Sequence, residues 1–90
     1  VRSIWKFPLA STAKQGLEVP TGARFLSCQM QDGVIAIWFD VDTAAPLATR
    51  IFLIVGTGQK VPDDAGDYLA TVQDDAYVWH LFAKAPRGDS

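Results

Sequence analysis

No stretch of this chain repeats apolar residues at the three- and four-residue spacing of an amphipathic helix. Short apolar runs alternate in and out instead, and Gly, Pro and Asp turn chemistry separates them. That pattern predicts strands. Residues 2–9 place Trp5, Phe7 and Leu9 on one face with Lys6 opposite, and Pro8 removes a donor, so this strand is expected to bend or lie at an edge. Residues 10–15 read as a polar connection with room for a helical turn. A short strand is expected at 16–19, and another at 23–30 with Leu26, Cys28 and Met30 in phase.

Asp32-Gly33 between two apolar runs is a strong hairpin signal, because both residues tolerate positive φ. Residues 34–42 (VIAIWFDVD) and 50–55 (RIFLIV) are apolar on both faces, and the first is the candidate central strand. Residues 59–66 carry turn chemistry. Tyr68, Ala70 and Val72 are in phase on a strand at 67–73. The last strand, 76–83, sets Tyr77, Trp79 and Leu81 against Val78, His80 and Phe82. The reading is all-β, a small antiparallel sandwich or barrel of about six or seven short strands. It forms a single domain over 1–84, followed by a flexible tail at 85–90.

With 90 residues the core must come from its large side chains, three Trp, five Phe and two Tyr, because a domain this small is otherwise marginal. One cysteine excludes an intrachain disulfide, and a single Cys with a single His excludes a Cys/His zinc site. No apolar run approaches the roughly 18 residues of a membrane span. The net charge of -2 argues against a nucleic-acid partner. Charge is uneven, however: residues 61–90 hold six acidic and two basic groups, most of the acids in the turns around Asp63-Asp64-Asp67 and Asp74-Asp75. Solvated turns explain this; a patch for a cation or a basic partner is the sharper reading.

Several residues invite a chemical role. Gly56-Thr57-Gly58 lacks the third glycine and the helix start of a dinucleotide loop, so flexible turn residues are the simpler reading. Asp40 and Asp42 fall on the same side of a strand, either as paired carboxylates or as a strand end entering solvent. Asp63, Asp64, Gly66 and Asp67 lack EF-hand spacing. His80 is the one side chain with an ordinary pKa near neutrality, and Cys28 reads as a small buried hydrophobe rather than its partner in catalysis. Trp5, Trp38, Tyr77 and Trp79 serve either the core or a stacking surface with Lys6, Arg24 and Arg50. Arg87-Gly88-Asp89 matches an adhesion tripeptide, a motif short enough to recur by chance.

Taken together, Ile4-Trp5-Lys6-Phe7-Pro8-Leu9, Gly22-Ala23, Leu26, Gln29, Trp38, Val41-Asp42, Arg50, Phe52, Gly56-Thr57-Gly58, Pro62-Asp63-Asp64, Tyr68, Thr71-Val72-Gln73 and Val78-Trp79-His80-Leu81-Phe82 form a pattern. It resembles a family of small, uncharacterised single-domain proteins of tailed bacteriophages and bacterial prophages. The resemblance implies a phage or prophage origin and a stand-alone domain, and it implies no activity. In that family a His often follows the Gly-Thr-Gly turn; here Gln59 stands there, which weakens a histidine-based role for the turn.

The leading expectation is a non-enzymatic protein-interaction module that engages a protein partner or another copy of itself. It would act in the cytoplasm of a bacterial host or in the virion. Two alternatives stand beside it. One is a phage structural or assembly component. The other is a small-ligand or nucleotide-binding protein using Arg24, Arg50, Gly56, Thr57, Gly58 and Lys60. No catalytic residue, metal or cofactor is expected.

Overall fold

The computed structural model describes residues 1–84. The tail expected at 85–90, with its Arg-Gly-Asp triplet, lies outside the described residues. Seven strands form two sheets: β1 (Arg2–Pro8), β2 (Lys14–Pro20), β3 (Arg24–Gln31), β4 (Val34–Asp42), β5 (Leu47–Gly56), β6 (Asp67–Asp74) and β7 (Tyr77–Ala83). A three-stranded sheet runs β1-β4-β3 and a four-stranded sheet β2-β5-β7-β6, with every neighbour antiparallel. The two sheets pack face to face as a sandwich-like arrangement that does not close into a barrel. Among the described residues no helix is long and apolar enough to cross a membrane.

Turn chemistry sets the boundaries. Gln31 pairs with Val34, leaving Asp32 and Gly33 as a two-residue loop with φ of 52° and 79°, the paired positive values of a type I′ turn. β4 is central in its sheet, and β1, which contains Pro8, is an edge strand. No helical turn forms between β1 and β2. The Gln15 side chain folds back instead: its carbonyl accepts the Ala10 N–H at 2.9 Å and its amide donates to the Ala10 carbonyl at 3.0 Å. This clamps a tight corner, and β2 starts at Lys14, earlier than residue 16. β5 likewise starts at Leu47 rather than Arg50, because Leu47 to Thr49 pair with β2.

Two β-bulges change which side chains face inward. The register shifts between Phe25 and Ser27 against β4, so Phe25, Cys28 and Met30 point to the core while Leu26 is exposed. A second shift, between Tyr68 and Ala70 against β7, leaves Tyr68 exposed and lets Leu69 pack on the core. The in-phase placement of Leu26 and of Tyr68 is therefore corrected: one extra residue in a strand reverses the alternation beyond it.

Phe39 of β4 is the centre of the core. It is fully buried, and the rings of Phe7, Phe25 and Phe52 meet it edge-on at 5.8, 5.9 and 6.2 Å. Each such pair contributes about 0.5–1.5 kcal/mol beyond area burial. β5 is apolar on both faces for a topological reason. Both β5 and β6 are antiparallel to β7, so residues 57–66 must carry the chain back along the length of β7. This crossover covers the outer face of the four-stranded sheet, where Leu53, Val55 and Ala65 are buried.

Candidate functional site

The crossover begins at the Gly-Thr-Gly turn, where two neighbouring residues serve opposite faces of the sheet. At Gly56 the inner face is crowded: an added Cβ would lie 3.2 Å from both Trp79 Cζ3 and Gln59 Oε1. The Gly56 N–H donates to that same Gln59 oxygen at 2.8 Å, and the Gln59 N–H donates to the Gly56 carbonyl at 3.0 Å. Gln59 thereby closes the turn on itself. Gly58 has φ of 89° with nothing within 4 Å of an added Cβ, so it supplies conformation alone.

On the outer face, Thr57 meets His80. Thr57 Oγ1 lies 2.8 Å from His80 Nε2, Thr71 Oγ1 lies 2.9 Å from Nδ1, and Tyr68 Oη lies 2.6 Å from the Thr71 hydroxyl. The Thr57 hydroxyl also reaches the Val78 carbonyl at 3.5 Å. A carbonyl only accepts, so if the Thr57 hydroxyl donates to Val78, the ring proton is on Nε2. The direction is then continuous: Tyr68 donates to Thr71, Thr71 to Nδ1, and Nε2–H to Thr57. In this arrangement Thr57 accepts a hydrogen bond from the imidazole rather than donating one, and the ring ties the crossover to β6. Cys28 lies in the core between the sheets, on the other side of the sheet from His80, and burial pushes its thiol up to about 11.

The outer face of the three-stranded sheet carries the two paired aspartates. Asp40 accepts from Arg2 Nε at 2.9 and 2.8 Å and from the Arg2 terminal nitrogen as well. Arg2, and more weakly Arg24 opposite it in register, hold the Asp40 carboxyl below its ordinary 3.8. Asp42 accepts the Ala44 N–H at 3.0 Å, which lowers its pKa too. Both aspartates share this face, as the alternation predicts, but each is engaged separately. Around them the face exposes Ile4 at 63% and has half-buried Trp38 at its centre, while Leu26, the extra residue of the bulge, is 42% exposed on the edge strand β3.

The remaining sequence candidates disperse. Arg50 projects from β5 into the sandwich, its guanidinium 5.3 Å from the Phe39 centroid and 5.7 Å from that of Phe52. Lys60 is exposed on the crossover. Arg24, Arg50 and Lys60 thus occupy three different surfaces. Asp64 pairs with Lys84 at 2.8 Å, and among the described residues no group of three or more His, Cys, Asp or Glu side chains is placed to hold a metal.

Sequence reasoning missed a cleft of about 320 Å³ at one end of the sandwich. It lies where the β1–β2 corner, the β3–β4 hairpin, Gln59 and the end of β6 converge. The available signal was a set of inward-phase apolar residues close to turns in four different strands, readable only once the strand order is known.

No curated protein and no solved structure matches this chain. A family does match, over residues 1–90, and the chain belongs to it: the family described as a domain of unknown function (DUF7352).

Proposed function

We propose that this is a phage- or prophage-encoded, non-enzymatic protein-interaction module that docks through the outer face of its three-stranded sheet. The observation that carries the reading is the exposure of Ile4 at 63% beside Trp38, on a sheet face over which no other element of the described residues is layered. Exposed apolar groups clustered on one face and rimmed by charge are the common form of a docking surface. The rim holds Arg2, Lys6 and Arg24 against Asp40 and Asp42, with Asp40 already engaged by Arg2. An apolar surface with an acidic border fits it best. The phage origin rests on the sequence resemblance. The non-enzymatic reading is supported by the engagement of His80 between two threonines, of Asp40 with arginine and of Cys28 in the core.

The test is capture from host lysate by immobilised wild-type protein, Ile4→Asp and Tyr77→Ser, each checked for folding by circular dichroism. Partners retained by wild type and Tyr77→Ser but lost from Ile4→Asp support the face. Equal retention by Ile4→Asp overturns it. Light scattering across a concentration series separates the other reading: self-association abolished by Ile4→Asp would make the same face an assembly contact of a structural component.

A further inference from the structure

The cleft at the end of the sandwich is independent of that docking face. Met30, Ile35, Ile54 and Trp79 occupy inward-facing positions of both sheets, yet all are only half-buried, because no element among the described residues caps the core there. Its volume, about 320 Å³, is at the lower end of the range for small-molecule sites. Trp79 forms a rigid wall. Tyr77 stacks on it at 5.8 Å and 19°, and the bare backbone of Gly56 lets the indole approach more closely than any side chain would allow. A wall fixed in advance lowers the ordering cost of binding.

The electrostatics select the ligand. Asp74, half-buried at the end of β6, is the one charged side chain among the described residues of the lining. Its carboxylate has no hydrogen bond or ion pair with any described residue. Among the described residues no Lys, Arg or His lines the cleft, so an anion such as a nucleotide would meet the Asp74 charge with no described counter-charge beside it. A cation would meet the Asp74 carboxylate and the Trp79 indole, two groups that attract it. Ser11 and Thr12 add polar groups at the rim.

We propose that this cleft binds a small organic ammonium ion. Its charged head sits against Asp74, and a short apolar or aromatic body lies on Trp79, Ile54 and Met30.

The experiment is an NMR titration of the wild-type chain with 2-phenylethylammonium, matched against neutral 2-phenylethanol and anionic phenylacetate. Saturable shifts are expected at the Trp79 indole and at the amides of Asp74 and Gln59 with the cation, and none with phenylacetate. Asp74→Asn should weaken binding by about tenfold, the scale of losing one charge-assisted contact. No saturable shift with the cation, or equal binding of phenylacetate, overturns the proposal. So does unchanged affinity in a folded Asp74→Asn. The cation–anion comparison on the wild-type chain decides the matter even where the variant does not fold, and Ile4→Asp, remote from the cleft, should bind the cation like wild type.

Discussion

The Arg50 guanidinium lies 5.3 Å above the ring of Phe39, reaching from one sheet onto the aromatic centre of the other. A planar, weakly hydrated cation can lie on a ring face inside a sandwich where an ammonium would stay hydrated. Arg50→Lys should therefore destabilise by about 1–2 kcal/mol, and Arg50→Met, which keeps the apolar stem, should cost less. Urea unfolding of the three proteins gives the order. A lysine variant as stable as wild type would remove the stacking from the account of the core.

Two glycines with nearly the same φ should respond very differently to alanine. Gly58 and Gly66 have φ of 89° and 87°. At Gly58 nothing lies within 4 Å of an added Cβ, so Gly58→Ala incurs only the left-handed strain of about 1–2 kcal/mol. At Gly66 the Cβ would fall 2.2 Å from the Ala83 carbonyl oxygen and 2.7 Å from Lys84 Cα, both backbone. Gly66→Ala must move the start of β6, at a cost of about 3–5 kcal/mol. Thermal denaturation of the pair separates the two effects, and equal shifts would mean that the crossover yields freely at Gly66.

The Arg2–Asp40 pair predicts an acid-sensitive contribution of definite sign. Asp40 in the folded chain titrates below its ordinary 3.8, first because Arg2 donates to it. A carboxyl depressed on folding contributes stability that is present above its unfolded pKa and lost as pH falls through the folded value. The contribution is thus intact at neutral pH and disappears in acid below 3.8. A carbon-detected titration of the Asp40 carboxyl should show the low midpoint, and Arg2→Ala should raise it toward the ordinary value. Because Arg2 is 77% exposed, salt should weaken the effect. A midpoint unmoved by Arg2→Ala would reassign the depression to Arg24.

Much of this fold is legible in the chain because local chemistry decides it. Asp32-Gly33 marks its hairpin without any knowledge of the rest, and the alternation through Trp5, Phe7 and Leu9 names the inward face of β1 correctly. The bulges at Leu26 and Tyr68 are not legible in that way. An extra residue is tolerated wherever the partner strand lets the ladder restart, which is a property of the pair and not of either segment. The candidate site is harder still. Thr57 and His80 are hydrogen-bonded across 23 positions, and Asp74 reaches the same cleft as Met30 only because β3 packs against β6 from the opposite sheet. Arg24, Arg50 and Lys60 are natural anion ligands by composition, yet the strand order sends them to three surfaces.

The chain of hydroxyls around His80 supplies the last prediction. Thr71 Oγ1 serves both Tyr68 and Nδ1, while Thr57 Oγ1 serves Nε2 and leads on to the Val78 carbonyl. Thr57→Val and Thr71→Val should each cost about 1 kcal/mol, the net value of a protein hydrogen bond. Because both bonds share one ring, the double variant should lose less than the two single losses combined. Nitrogen shifts of the imidazole should report the Nε2–H tautomer at a pH where the ring is neutral. Hydrogen exchange should quicken across 57–66 in Thr57→Val, since the ring no longer holds the start of the crossover to β6. Strict additivity together with an Nδ1–H tautomer would mean that the two threonines act separately, and that His80 is held by packing alone.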